Sequence, residues 1–141
     1  MSNVDCSTSS KAVKVSNTEQ LFPRFFGPSH KITVTAECLV YDYTQRLCPT
    51  YSGGFWEFYM VDGAFFMVPS CLTQEKHDVM WSDNCFEGKM SPEAIGITAC
   101  LFAFNYVCNL TGSNEHIELY YNLLAFAHEH VEAGVIARAI D

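Results

Sequence analysis

Two short aromatic runs separated by Asp62-Gly63 constrain the fold of this chain more than any other feature of its sequence. Residues 55–60 and 64–68 are rich in β-forming side chains, and Asp-Gly between two such runs is a strong signal for a two-residue hairpin turn. This turn fixes the register, and the predicted pairs are Val61–Ala64, Met60–Phe65, Tyr59–Phe66 and Phe58–Met67. Because side chains alternate across a sheet, both faces of the hairpin are largely apolar, and we expect other elements to cover both.

The two predicted faces differ in one charged residue. One carries Trp56 and Phe58, which we expect in the core. The other carries Phe55, Glu57 and Tyr59, and here Glu57 must find a hydrogen-bond donor or lie at the rim, because an unpaired buried carboxylate is costly.

Helical patterns flank the hairpin. Residues 32–47 place apolar side chains on one helical face, although Val34 and its neighbouring threonines favour a strand, so the start of this helix stays open. Ser91-Pro92-Glu93 is a strong helix start for a helix to about Cys108 that is apolar nearly all round and therefore central. A last amphipathic helix is predicted over residues 115–138.

These elements predict an α+β fold, with a small antiparallel sheet built on a β-hairpin and packed by three or four helices. Residues 78–82 are a candidate third strand, followed by a turn over residues 82–89. The aromatic segment 21–28 is expected to pack on the core as a clasp. Residues 1–18 are polar and are predicted to form a flexible N-terminal arm, and residues 19–141 a single domain.

Composition places the chain among globular proteins of one domain, with 141 residues of which 49% are hydrophobic. Its seven cysteines are odd in number and form no C-x-x-C pair, which favours reduced thiols over a disulfide framework. The first residues lack the charged start and apolar run of a signal peptide, so we expect a cytoplasmic protein. The longest apolar run, residues 95–110, is shorter than the roughly 20 residues of a membrane span, so no membrane contact is expected.

The charge distribution disfavours nucleic acid as a partner. The net charge is −8, and residues 32–141 hold four basic residues against fourteen acids. A body of this charge repels a polyanion. Residues 1–31 carry four basic residues against two acids, so a contact through Lys11, Lys14 and Arg24 would be weak and sensitive to salt.

Four glutamates form a predicted acidic stripe on the last helix. At 100° per residue they fall within about 100° of each other, and they span about 25 Å. B-DNA of that length presents about 15 phosphates, so the stripe is too sparse to imitate DNA. A solvated helix face or a contact surface for a basic protein are the two remaining interpretations. The stripe residues are Glu115, Glu118, Glu129 and Glu132, and the terminal Asp141 adds further negative charge.

The sequence offers little for catalysis or metal binding. In His128-Glu129-His130 the two histidines point about 160° apart on a helix, whereas zinc needs converging ligands. Cys48, Cys71 and Cys85 lie in predicted loops without a recognisable base, so a thiol-dependent enzyme is only a minor hypothesis. We expect no catalytic, cofactor-binding or metal-binding residues.

Four segments, in this order and spacing, resemble the ArdB/KlcA antirestriction family. They cover residues 22–27, 47–59, 63–69 and 90–101, and the resemblance extends over residues 21–124. The chain departs from the family pattern in a shorter hairpin turn and in Phe25, where the family has a polar ring.

The resemblance implies a protein that protects incoming plasmid, phage or island DNA by inhibiting type I restriction–modification activity. It implies binding and not catalysis, no cofactor, and an interaction with the restriction complex that is either direct or indirect. An acidic binding module for a basic partner unrelated to restriction is the alternative. Without a heptad pattern, a monomer is expected. The candidate partner-binding residues are Arg24, Tyr51, Gly53, Gly54, Glu57, Tyr59, Glu115, Glu118, Glu129, Glu132 and Asp141.

Overall fold

The computed structural model describes residues 11–141, which contain five β-strands and five α-helices. In chain order these are β1 (Val13–Val15), α1 (Leu21–Phe26), α2 (His30–Leu47), β2 (Trp56–Val61), β3 (Ala64–Pro69), β4 (His77–Trp81), β5 (Phe86–Met90), α3 (Pro92–Thr111), α4 (Asn114–His128) and α5 (Ala133–Ile140). Strands β1, β2 and β3 form an antiparallel sheet in that order, and β4 pairs with β5. The predicted α+β class is confirmed.

The central hairpin has the predicted register. All four predicted residue pairs are present, from Val61–Ala64 to Phe58–Met67. Gly63 has a φ of 73°, a conformation that side-chain-bearing residues rarely adopt. Asn122 of α4 donates a hydrogen bond from Nδ2 to the Gly63 carbonyl at 3.0 Å, so the turn is fixed against this helix.

The third strand of this sheet comes from the predicted N-terminal arm. Val13–Val15 pair with β2, so the expectation of a flexible segment to residue 18 is wrong for these three residues. Valine favours extended backbone, and Lys14 holds the strand through an ion pair with Glu57 at 3.3 Å. The first ten residues of the predicted arm lie outside the described residues.

Helix α3 packs directly on the backbone of β3. A Cβ atom added to Gly96 would lie 1.8 Å from the Met67 carbonyl oxygen, so only glycine allows this approach. Cys100, one turn further on, is fully buried and contacts the Met67 backbone, and its burial raises the pKa of the thiol to about 12. The helix therefore covers β3, the strand at the end of the sheet opposite β1.

Aromatic rings join the predicted clasp to this core. The ring of Phe65 in β3 lies 5.1 Å from Phe22 and 5.2 Å from Phe25 of α1, and 5.3 Å from Phe104 of α3. The prediction that this segment packs on the core is confirmed. Phe25, which stands where the family has a polar ring, is half-buried against Phe65.

Helix α3 is long and apolar enough to cross a membrane, judged by length and composition. In this structure most of its side chains, among them Ile95, Leu101 and Phe104, are buried inside the domain. That environment is typical of the core helix of a globular protein.

Residues 82–89 were predicted as a turn. They instead contain the connection of a second hairpin and most of its second strand. Strand β5 pairs with β4 from Phe86–Trp81 to Met90–His77. The connection is a single 3₁₀ turn that ends at Cys85, which adopts the left-handed conformation with φ 60°. The sequence does not predict this hairpin, because Cys85 occupies the left-handed position at which glycine is usual.

The predicted last helix is broken in two. Helix α4 ends at His128 and α5 begins at Ala133, because two of the three polar side chains of the intervening corner bind the start of α3. His130 binds Glu93 and Glu132 binds Ser91. The carbonyl of Ala139 near the end of α5 accepts a hydrogen bond from Asn84 Nδ2 at 2.8 Å.

We predict that Gly96→Ala destabilises the protein by about 3 kcal/mol or more, since a clash with backbone cannot be relieved by a side-chain rotation. Urea unfolding followed by circular dichroism measures the change. Gly134→Ala in α5 is the matched control, because a Cβ there meets nothing within 4 Å, and it should be neutral or slightly stabilising. Equal stability of the two variants would contradict the assigned helix–strand contact.

Candidate functional site

Residues 51–55 form a surface loop, here called the glycine loop, that leads into β2. Gly53 and Gly54 have φ values of 101° and 130°, which other residues rarely adopt. A Cβ added to Gly54 would lie 2.6 Å from Cys71 Cβ. Ser70 donates from its backbone N–H and its hydroxyl to the Phe55 carbonyl, at 3.0 and 2.9 Å. The loop is therefore fixed at its base while its tip stays open.

The glycine loop presents Phe55 to solvent. This side chain is 88% exposed, so the expectation that a neighbouring element covers it is wrong. The strand begins one residue later, at Trp56, and Phe55 thus projects from the loop and not from the covered part of the sheet. Because aromatic side chains are enriched in protein interfaces, we take Phe55 as a candidate contact residue.

Tyr51, proposed as a contact residue, is instead part of the core. It is 8% exposed, and its hydroxyl accepts a hydrogen bond from Trp56 Nε1 at 3.1 Å. Trp56 in turn packs on Tyr41 with ring centroids 5.5 Å apart. This aromatic group anchors the glycine loop and leaves Gly53, Gly54 and Phe55 as its accessible part.

Glu57 and Tyr59 lie on the same side of β2, next to the loop. Glu57 accepts a hydrogen bond from the Tyr59 hydroxyl at 3.1 Å and pairs with Lys14, which gives it the donors that its position requires. The Tyr59 ring stacks on Phe66 with centroids 5.4 Å apart. The structure thus brings Gly53, Gly54, Glu57 and Tyr59 together on one surface with Phe55, as the sequence predicted for the first four.

The hydroxyl of Tyr59 is held in its protonated form. Burial, then the hydrogen bond to Glu57 and the charges of Glu57 and Glu93, raise the pKa of Tyr59. A phenol in this state donates a hydrogen bond and is a poor base or nucleophile.

Glu93 extends this surface and is held from below by the buried His130, and neither was among the predicted site residues. The Glu132 backbone N–H donates to His130 Nδ1 at 3.0 Å, so Nε2 carries the proton and donates to Glu93 at 2.7 Å. The His130 side chain is 8% exposed and that of Glu93 44%. In the sequence, Glu93 was recognised only as an acidic residue in the first turn of a helix. No local pattern shows that His130, 37 residues further along the chain, contacts it.

Glu132 has a structural role and is not a free contact residue. It accepts hydrogen bonds from the Ser91 hydroxyl and from the Ser91 backbone N–H at 2.9 Å, and it pairs with Lys76 at 3.2 Å. Burial disfavours its ionised form, but the bonds from Ser91 and Lys76 outweigh that effect and lower the pKa of Glu132. This carboxylate anchors the corner between α4 and α5 to the N-cap of α3.

The predicted acidic stripe does not exist as one helix face. Glu115 and Glu118 lie exposed at the start of α4, whereas Glu129 follows its last residue and Glu132 is internal. The alternative of an acidic module for a basic partner thereby loses its continuous surface.

The two remaining candidates lie elsewhere. The Arg24 side chain is directed at Met60 Sδ at 3.7 Å, and Met60 occupies the sheet face opposite Lys14. The two cations thus do not form one basic patch. Asp141 is exposed, and its main-chain oxygen accepts a hydrogen bond from Asn84 Nδ2 at 3.3 Å.

Cys71 and His77 line one cavity of about 390 Å³. The lone pair of His77 Nε2 already accepts from the Gln74 backbone N–H at 3.2 Å, so this nitrogen is not free to deprotonate a thiol. Within residues 11–141 the six cysteines are free, and His, Cys, Asp and Glu residues form no group of three that could hold a metal ion.

We predict that Glu132→Gln lowers the free energy of unfolding by about 1–3 kcal/mol near neutral pH, because it removes charge-assisted hydrogen bonds. The folded pKa lies below the ordinary value of 4.5, so the stabilisation is complete above that pH and declines as the pH falls through the folded pKa. Urea unfolding of wild type and variant at about pH 7 and about pH 3 measures this difference. A gap between the two proteins that stays constant or widens in acid would contradict the assignment.

Comparisons with known proteins agree on one family. A family model described as antirestriction protein matches residues 49–141. An antirestriction protein KlcA of Escherichia coli is 39% identical over 148 aligned residues that span both chains completely. A second Escherichia coli KlcA is 36% identical, with 84% of each chain covered.

A solved structure has the same fold. It superimposes with a TM-score of 0.78 at 35% identity and covers 93% of this chain and 94% of its own. It belongs to work on the KlcA and ArdB proteins, described as showing a novel fold and antirestriction activity against type I DNA restriction systems in vivo but not in vitro.

Proposed function

The chain belongs to the ArdB/KlcA antirestriction family, and we propose that it protects incoming DNA by binding a protein on which type I restriction depends, without catalysing a reaction. The observation that carries this proposal is the similarity to KlcA over the whole of both chains. Antirestriction against type I systems is the function of the family, and members of the family are generally non-catalytic. The binding step and the surface that performs it are our proposals.

The core accounts for most of the segments that carry the family resemblance. Residues 22–27 supply rings that pack on Phe65, and residues 90–101 include Gly96, which packs on Met67. The glycine loop is different, because its Phe55 is exposed and serves no packing role. Together with Glu57 and Tyr59 it is the surface that we propose for partner binding.

The chemistry of this surface favours a protein partner. An exposed aromatic side chain beside hydrogen-bonding groups is typical of interface hot spots. Glu57 and Glu93 add negative charge, and phosphates would be repelled. The partner is either a subunit of the type I complex or a protein that the complex requires, so binding to the complex is direct or indirect. A cytoplasmic location belongs to this proposal, and the six free thiols in the part of the chain that the structure describes support it.

Phage plating tests the function. Unmodified phage is plated on isogenic hosts with and without a type I system, each expressing the protein. We expect the efficiency of plating to rise on the restricting host alone. An unchanged efficiency, at soluble expression, would refute the function for that system. The test belongs in cells because the solved relatives are described as active in vivo but not in vitro.

We predict that Phe55→Ala abolishes most of this protection while the fold stays intact. Loss of a hot-spot aromatic costs about 2 kcal/mol or more of binding free energy, roughly a 30-fold loss of affinity. An exposed site has little effect on stability, so the thermal midpoint should not change. Tyr121→Ala is the matched control, since Tyr121 is also exposed, at 60%, but lies on α4. Full protection by the Phe55 variant would exclude the glycine loop as the contact surface.

A further inference from the structure

The buried side chain of His77 keeps a hydrogen-bond donor that the described part of the chain does not use. The residue is 9% exposed, and its Nε2 accepts a hydrogen bond from the Gln74 backbone N–H at 3.2 Å. In a neutral imidazole the other nitrogen then carries the proton, so Nδ1 is a donor. Among residues 11–141 this donor has no acceptor. Because unpaired buried donors are rare in native proteins, the Nδ1 proton of His77 points to a ligand or to ordered water.

His77 lines the polar cavity of about 390 Å³ that also contains Cys71. The cavity lies at the open end of the second hairpin, where β4 begins and β5 ends. Its volume falls within the roughly 300–1,000 Å³ that small-molecule sites occupy. The side chains of Thr50 and Thr73 contribute hydroxyl groups to its lining. The cavity therefore offers several neutral donors in addition to the imidazole.

The charge around this cavity differs from that of the chain as a whole. Lys76 and Lys89 both line it and are two of the four basic residues in residues 32–141. Lys76 pairs with Glu132 at 3.2 Å. Lys89 pairs with Asp78 in an exposed contact that solvent screens. The two lysines and two acids balance on a chain of net charge −8, and each ammonium has three N–H groups, so donors remain for an anion that most of the surface would repel.

We propose that this cavity, here called the His77 site, binds the phosphate group of a small molecule. Donors approach it from three segments, represented by Thr50 before β2, His77 at the start of β4 and Lys89 in β5. A tetrahedral phosphate group has acceptor oxygens in several directions and can use donors from all three. A carboxylate has two oxygens in one plane and would use fewer of them. Lysine is a common phosphate ligand and binds as a point charge.

The His77 site adjoins the base of the glycine loop but does not include Phe55. Cys71 lines the cavity, and a Cβ added to Gly54 would lie 2.6 Å from Cys71 Cβ. The exposed ring of Phe55 is not part of the lining. A bound phosphate group and a protein partner would thus occupy separate surfaces.

NMR of the imidazole nitrogens of the full chain tests the proposal while inorganic phosphate is added. Spectra are recorded at about pH 7.5, so that imidazoles are mostly neutral. The Nδ1 resonance of His77 should shift and saturate at millimolar phosphate. His130 is the internal control, because both of its ring nitrogens already form hydrogen bonds, and its resonances should not move. A His77 resonance that does not respond, or that responds equally to sodium chloride at the same ionic strength, would overturn the proposal.

A pair of lysine variants tests the chemistry of the site. Lys89→Gln keeps most of the side-chain length but removes the charge, and it should raise Kd for phosphate about tenfold, the effect of one charge-assisted hydrogen bond. Lys31→Gln makes the same change at an exposed lysine of α2 outside the cavity and should leave Kd unchanged. Circular dichroism confirms that both variants are folded. An unchanged Kd in the Lys89 variant would contradict the site.

Acetate distinguishes phosphate from carboxylate as the preferred group. It should bind the wild type more weakly than phosphate does, and equal affinity would overturn the assignment to phosphate. None of these results bears on the antirestriction activity, which the plating experiment measures independently.

Discussion

The contact between Gly96 of α3 and the carbonyl of Met67 in β3 is the constraint on which the rest of the structure depends. Helix and strand approach with no side chain between them, and α3 thereby covers the end of the sheet and supplies Phe104 to the aromatic core. Ser91 and Pro92 set where α3 begins, and the approach at Gly96 sets where this helix lies against the sheet. The N-cap, Ser91, then receives Glu132, and the first turn of α3 presents Glu93 to His130. The corner between α4 and α5 is therefore attached to a helix whose position the contact at Gly96 fixes.

The structure separates residues that build the fold from exposed residues that packing does not explain. The aromatic clasp and the start of α3 are buried, and their side chains are explained by packing. The glycine loop is fixed at both ends, by Tyr51 with Trp56 and by Ser70 with the Phe55 carbonyl. Its exposed phenylalanine meets no packing requirement. A rigid scaffold that carries an exposed ring agrees with the binding role proposed for this loop.

The sequence was most informative where a feature depends on neighbouring residues. Asp62-Gly63 predicted the hairpin and its register, and Ser91-Pro92-Glu93 predicted the start of α3. The sequence was uninformative where a feature depends on contacts between residues that are distant in the chain. The bond between Glu132 and Ser91 joins positions 41 apart, and it breaks a helix that periodicity alone would continue. The same bond removes Glu132 from the candidate surface. The sequence placed Phe55 within the strand, whereas β2 begins one residue later, at Trp56. This difference of one residue leaves the Phe55 side chain exposed.

The thiol of Cys71, which lies against Gly54, makes the glycine loop accessible to spectroscopy. Cys48 and Cys100 are buried, whereas Cys38, Cys71 and Cys85 are exposed, so alkylating reagents should distinguish the two groups. With Cys6, Cys38, Cys85 and the half-buried Cys108 replaced by serine, a spin label or fluorophore on Cys71 would stand beside the loop without altering Phe55. Its signal would then report on the loop in free and bound protein, even before the partner is identified.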